Sequence, residues 1–199
     1  MLHEIEVLEL VLDAADQPDA FSAAEALIVR FGGLPAVLAA DRSELVRTVS
    51  DQAAFSLKLA RDIATRLAAA ALPRRDLLGS SSHVSAFLRA QMVGLPREEF
   101  WVLFLDRLNR LIVCERLGRG TVSHVPVYPR EVLRRALEVN ASAMILAHNH
   151  PAGDPTPSAP DIEMTKQIVA AGKALDVQVW DHMIVGRDRV LSLKAEGLM

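Results

Sequence analysis

From about residue 82 the hydrophobic pattern of this chain changes from purely helical to alternating helices and strands, which restricts it to a helical segment followed by a mixed α/β segment. Before the change, apolar residues recur at helical spacing: Ile5, Leu8, Val11 and Leu12 share one face, as do Leu57, Ala60, Ala64 and Leu67. The spacing predicts helices near 3–14, 20–30, 34–40, 43–48 and 52–71, with Gly32-Gly33 closing one of them. Pro73, Arg74, Arg75 and Asp76 read as a linker. A helix over 82–92 then gives way to two β-rich runs, 100–105 and 111–117, joined by a hairpin through Asp106 to Arg110. A further helix follows Tyr128-Pro129 and runs to about Val139, leading into a short apolar strand from Ala143 to His148. Residues 151–160 hold four of the ten prolines and form a stiff loop before a helix over 159–175 and strands near 177–185 and 189–194. The expected fold class is α/β, a mixed β-sheet flanked by helices and preceded by a small all-helical domain, with domains at 1–73 and 74–199.

Composition removes several function classes. Cys114 is the only cysteine, so an intrachain disulfide is impossible, and so is any zinc site built on two or more thiolates, including the deaminase type. The apolar stretches are too short to cross a bilayer, and Glu4, Glu6 and Glu9 stand where a signal peptide carries basic residues; the expectation is a cytoplasmic protein without membrane partners. The net charge of -3 offers no basic excess for nucleic acid. It is unevenly spread, because residues 1–72 hold 11 acids and 6 bases (net -5) while residues 73–199 hold 14 acids and 16 bases (net +2).

The chemistry-bearing residues cluster where the Ala143 to His148 strand ends, in the run His148-Asn149-His150 followed by the proline loop, Ser158 and Asp161. If the extended conformation persists past His148, the i, i+2 spacing puts both imidazoles on one side, where they can grip one metal ion. Asp161, in the first turn of the next helix, can fold back to supply a carboxylate oxygen, leaving one tetrahedral position open for water, as catalytic Zn²⁺ requires. The same Ser158-x-x-Asp161 pattern is also a capping box, and the two roles are compatible: a carboxylate at the third helical position sits at the positive end of the helix dipole, already oriented and ionised. The letters His-Asn-His invite comparison with HNH nucleases, but there the three residues are dispersed through a ββα unit.

With its fixed intervals, the set His148, His150, Ser158 and Asp161 resembles the signature of the JAMM metalloproteases. The run from Phe100 to Leu193 further resembles the RadC family, in Arg110-Leu111-Ile112, Arg119-Gly120-Thr121-Val122, Tyr128-Pro129-Arg130-Glu131, Ala147-His148-Asn149-His150-Pro151 and Asp181-His182-Met183-Ile184-Val185-Gly186. That resemblance implies a JAB/MPN domain of cytidine-deaminase-like architecture, with His148, His150 and Asp161 as zinc ligands and Ser158 as a catalytic hydroxyl that donates to the developing oxyanion. It also implies a general-base glutamate on an earlier strand, five residues before the Gly of the Gly-Thr pair, which here is Glu115. Strand alternation agrees, since Cys114 and Glu115 point to opposite faces, and the competing reading of Glu115 is a solvent-exposed strand residue. Cys114 is expected to be a small apolar filler rather than a nucleophile. The resemblance gives His182 no ligand role, so it is expected to be a hydrogen-bonded structural residue. Trp101 and Trp180 are expected at the core or rim of the sheet, and Arg130, Arg134 and Arg135 on a solvated helix face.

The first half resembles the family's helix-hairpin-helix-like region in Phe31-Gly32-Gly33-Leu34, Val37-Leu38-Ala39-Ala40 and Leu45, and the chain is expected to start partway into the family's usual N-terminal region. Where the family carries a Gly-x-Gly hairpin, this chain has Thr48-Val49-Ser50, whose Cβ atoms hinder close approach to a phosphate. Two function classes follow: a zinc hydrolase of peptidase or isopeptidase type acting on a protein or peptide, and a DNA-associated or scaffolding module. The intact set of site residues favours the first, and the acidic, altered hairpin region predicts weak or no DNA binding. Specificity is expected to lie in the loops 118–128 and 151–157.

Overall fold

A computed structural model describes residues 2–72, 77, 81–120 and 126–199. The expected linker Pro73 to Asp76 and residues 121–125 of the 118–128 loop lie outside them. The chain divides into two compact units, Met1–Leu67 with Val93–Pro96, and Ala68–Met92 with Arg97–Met199. This differs from the expected division at 73, because Val93–Pro96, which carries no periodic signal, returns to the first unit. There Gly94 adopts φ +79, and a Cβ on it would lie 2.5 Å from the Pro35 carbonyl.

The first unit is built from α1 (Glu4–Asp13), α2 (Ala20–Phe31), α3 (Leu34–Ala39), α4 (Arg42–Leu45) and most of α5 (Asp51–Ala70). Its core is Leu8, Leu12, Leu27, Val37, Leu45 and Leu57 with small alanines between them, as the helical spacing requires. Gly32 closes α2 in the left-handed region at φ 87, with its N–H on the Ile28 carbonyl. In the turn at Thr48-Val49-Ser50 every amide has an internal acceptor. The N–H groups of Thr48 and Val49 donate to Leu45 O, and that of Ser50 donates to Gln17 Oε1 at 2.7 Å.

The second unit holds α6 (Ser81–Met92), β1 (Glu99–Leu105), β2 (Leu111–Arg119), α7 (Pro129–Glu138), β3 (Ala143–Asn149), α8 (Ala159–Ala174), β4 (Gln178–Val185) and β5 (Val190–Ser192). The sheet order is β2-β1-β3-β4-β5, with β3 and β4 parallel and the other pairs antiparallel, so the mixed sheet flanked by helices is as expected. β3 is buried along its whole length, which is why its residues 143–147 are continuously apolar instead of alternating. Phe100, Val102, Phe104, Met144 and Leu146 turn to one face, where Val132, Leu133 and Ala136 of α7 and Ile168 of α8 cover them. α6 packs against β3 and β4 but adds nothing to that core, placing it on the other face.

The register matters most for the site. Phe100, at the start of β1, pairs with His148, at the end of β3, and His148 pairs with Ile184 of β4. The carboxyl end of β3 thus meets the beginning of β1 at the end of the sheet where α8 starts. No helix among the described residues is long and apolar enough to cross a membrane.

Candidate metal centre

Three ligand atoms converge where the strand, the loop and the helix meet. The Nε2 atoms of His148 and His150 lie 3.0 Å apart, and Asp161 places Oδ1 3.5 Å from the first and Oδ2 3.6 Å from the second. Donors held about 2.0–2.1 Å from a tetrahedral zinc ion sit roughly 3.3 Å from one another, so this spacing fits such an ion. Among the described residues, these three form the only cluster of metal-ligating side chains. The set of two imidazoles and one carboxylate also suits zinc chemically.

Local structure explains the convergence. Beyond β3 the backbone stays paired through His150 N–H to Val185 O at 3.0 Å, so the extended conformation carries His150 to the same side as His148. The loop then folds on itself: Gly153 N–H donates to His150 O, and Thr156 donates from both N and Oγ1 to Asp154 Oδ1. Gly186, in the turn after β4, packs against this loop so closely that a Cβ would lie 2.4 Å from Gly153 O. The loop delivers Ser158 as the N-cap of α8. The expected capping box is present, with Ser158 Oγ accepting from Asp161 N–H and Ser158 N–H donating to Asp161 Oδ2 at 2.8 Å. The Ser158 hydroxyl also donates to Asp161 Oδ2 at 2.6 Å, which orients the carboxylate.

Each imidazole is gripped from behind. His150 Nδ1 lies 2.7 Å from the Asp154 carbonyl, an acceptor only, so Nδ1 carries the proton and Nε2 presents its lone pair to the site. His148 Nδ1 lies 2.7 Å from Nε2 of the fully buried His182. The expectation of a hydrogen-bonded, non-ligating His182 agrees with this arrangement. Burial, reinforced by the charge of His148, holds His182 well below the ordinary histidine range. Burial also opposes the charged form of Asp161, but the adjoining His148 and His150 imidazoles and the Ser158 hydrogen bond outweigh it and keep the carboxyl well below the usual range. Asp161 raises His150 against its burial by accepting a hydrogen bond from the ring when it is protonated, with help from the Asp154 carbonyl and the charges of Asp161 and Glu98. The site's field therefore favours a cation.

The three ligands open onto a cleft of about 720 Å³, lined also by Glu98, Tyr128, Ser158 and Met164. The carboxylate beside the ligands is Glu98, which requires a correction. Glu115 is absent from the cleft lining. It does face α7, as alternation requires, but it sits on the edge strand opposite Val102, which pairs with Leu146. That is two strands, roughly 10 Å, to the side of His148 and two residues, roughly 7 Å, short of it. Arg135 takes both Glu115 oxygens, at 2.7 and 2.6 Å, and its hydrogen bonds hold the carboxyl below the usual range, the reverse of what a base needs. Arg135 is accordingly half-buried in an ion pair, not part of a freely solvated face. Burial, with the Glu115 charge, pushes the Cys114 thiol up to about 12, consistent with a filler.

Glu98 is buried, and its backbone is clamped. Asn149, between the two ligand histidines, accepts the Glu99 N–H on Oδ1 at 2.8 Å and donates from Nδ2 to Arg97 O at 3.1 Å. Its amide thereby continues the β1–β3 pairing by one step and fixes the chain on both sides of Glu98. Gly120 N–H takes the Glu98 carbonyl itself at 2.8 Å. The neighbouring Glu99 is held by Trp101 Nε1 at 3.0 Å and Arg116 at 2.9 Å.

Residues 78–198 match the family model of the RadC-like JAB domain. A protein from Rhodobacter capsulatus described as a UPF0758 protein is 46% identical over 199 residues, covering 98% of this chain and 93% of its own length. The chain belongs to the RadC family. The matched region contains every residue of the centre described above, from Glu98 to His182.

Proposed function

We propose that this RadC-family chain is a zinc-dependent hydrolase that cleaves an amide bond in a protein or peptide. The observation that carries the reading is one cleft in which three convergent ligand atoms share their open side with a buried carboxylate, Glu98. A zinc ion held by His148 Nε2, His150 Nε2 and Asp161 would supply a Lewis acid that polarises the scissile carbonyl and acidifies a water.

The chain's own residues provide the rest. Glu98, not Glu115, accepts the water proton on its carboxylate and returns it to the departing nitrogen, so the leaving group departs as an amine. Asn149 holds the segment that aims Glu98. Ser158 orients Asp161 in the resting chain, and its hydroxyl can turn from Asp161 Oδ2 to the oxyanion, a kind of contact worth about 2.7–4 kcal/mol in other hydrolases. Tyr128, Met164 and the prolines around the cleft give a peptide an apolar wall beside the acidic centre.

The DNA-associated alternative lacks comparable support. The hairpin amides that would have to reach a phosphate are already used within the first unit, and residues 1–72 are net negative with 11 acids and 6 bases.

Turnover of a fluorogenic peptide library by zinc-loaded protein tests the reading. Glu98→Gln is expected to keep stoichiometric zinc and lose at least about 10²-fold in kcat/KM, while Glu115→Gln stays within a few-fold of wild type. Activity retained in Glu98→Gln, or turnover that persists after the zinc is stripped, would refute it.

A further inference from the structure

We infer that Thr165 and His182 form a directional hydrogen-bond relay that fixes the tautomer of the ligand His148 and ties it to the other ligand element, α8. This inference rests on the zinc-site reading above, but its first test needs no metal.

The direction of the relay follows from one group that can only accept. Thr165 Oγ1 lies 2.6 Å from the backbone carbonyl of Asp161 and 2.6 Å from His182 Nδ1. A hydroxyl has one proton, and only the carbonyl cannot donate. With that proton given to Asp161 O, Oγ1 accepts from His182, so Nδ1 of His182 carries the hydrogen. His182 Nε2 is then bare and accepts from His148 Nδ1 at 2.7 Å. His148 is left with its proton on Nδ1 and its lone pair on Nε2, the atom that faces His150 and Asp161. If the threonine proton turned to His182 instead, every proton in the chain would reverse, and His148 Nε2 would carry a hydrogen where a ligand lone pair is needed.

The relay is sealed from competitors. Thr165, His182 and His148 are 0%, 0% and 1% exposed, so no bulk water can exchange into the chain of bonds. Phe100 packs edge-on against the His182 ring, with centroids 5.9 Å apart, holding the ring in plane for both partners. The relay also closes a circuit: it starts at His148 on β3, crosses β4 at His182, enters α8 at Thr165 and ends on the carbonyl of Asp161. Both ends are ligand residues, so the spacing of the strand ligand and the helix ligand is set through buried groups that never touch the ion. Partners behind ligating histidines elsewhere change metal affinity by about 10- to 100-fold when removed.

Two measurements test this. Long-range ¹H–¹⁵N correlation of the imidazoles in zinc-free wild-type protein is expected to show His148 protonated at Nδ1; protonation at Nε2, or averaging between tautomers, would overturn the relay. Zinc dissociation constants from chelator competition are then compared across variants. Thr165→Val, which keeps the shape and removes the hydroxyl, is expected to weaken zinc by about 10- to 100-fold and to shift His148 toward the Nε2-protonated form. Thr165→Ser is expected to restore both within about three-fold, since it supplies the same donor and acceptor. Wild-type affinity in Thr165→Val would overturn the proposal, and so would failure of Thr165→Ser to recover the tautomer. A wild-type chain that binds no zinc would refute the metal reading, while the tautomer measurement would still decide the relay.

Discussion

Replacing Asn149 with alanine tests how the site is assembled without needing a substrate. Asn149 is 2% exposed, and its two bonds, to Glu99 N–H at 2.8 Å and Arg97 O at 3.1 Å, anchor the segment that carries Glu98. In Asn149→Ala the Glu99 amide, in a residue 5% exposed, is left buried without an acceptor, a cost of about 1–3 kcal/mol. Losing the donor to the Arg97 carbonyl adds about 0.5–1.5 kcal/mol, at the low end because that group can recruit water. The expected destabilisation is about 2–3 kcal/mol. In a unit of roughly 130 residues, 1 kcal/mol moves the melting temperature about 3–4 °C, so Tm should fall by about 6–12 °C. The chain's two tryptophans, Trp101 and Trp180, both lie in this unit, so a thermal melt followed by tryptophan fluorescence reports it alone. Zinc stoichiometry should be unchanged, because His148 and His150 have their own supports, whereas turnover should fall with the loss of Glu98 positioning. A Tm within about 2 °C of wild type would refute the clamp.

Acid should weaken the folded state through His182. Burial lowers its folded pKa, so below about pH 6.5 the unfolded chain takes up a proton that the folded chain refuses, and stability falls by up to about 1.4 kcal/mol per pH unit. His150, raised by Asp161, has the opposite sign: its contribution is fully present below about pH 6.5 and is lost as pH rises through its folded value. Urea unfolding of zinc-free His182→Asn should therefore show a stability deficit that shrinks by about 1.2 kcal/mol between pH 7 and about pH 5.5, and a constant deficit would contradict the assignment. In fluorescence anisotropy at about 150 mM salt, the full chain should bind duplex or single-stranded DNA no more tightly than about 10⁻⁶ M; sub-micromolar binding would restore the DNA-associated alternative.

The convergence of His148, His150 and Asp161 was legible because its geometry is local. His148 and His150 share a side through strand alternation, and Asp161 sits one helical turn past a cap that Ser158 marks in the sequence. The order of helices and strands was legible for the same reason, each element carrying its own period. Glu98 was not, since it belongs to no spaced motif and becomes a neighbour of His150 only through the register that sets Phe100 opposite His148. One signal was available: if β1 and β3 run antiparallel, the residue before β1 must meet the residue after β3, which favours the Glu98-Glu99 pair over Glu115. Which of the two acids enters the cleft depends on tertiary partners, and Arg116 and Trp101 claim Glu99. The bulge in β2, where Phe100 pairs with Gly118 but Trp101 with Arg116, likewise has no local marker. The Thr165–His182 relay joins α8 to β4 across the core, a pairing that neither period encodes.

The central claim is that His148, His150 and Asp161 hold one zinc ion, and the most direct measurement is zinc content by elemental analysis combined with chelator-competition titration. Wild type should bind one equivalent, and His150→Ala and Asp161→Ala should each weaken binding by at least about 100-fold while keeping the fold by circular dichroism. Equal stoichiometric binding by all three proteins, or no binding by wild type, would contradict the account.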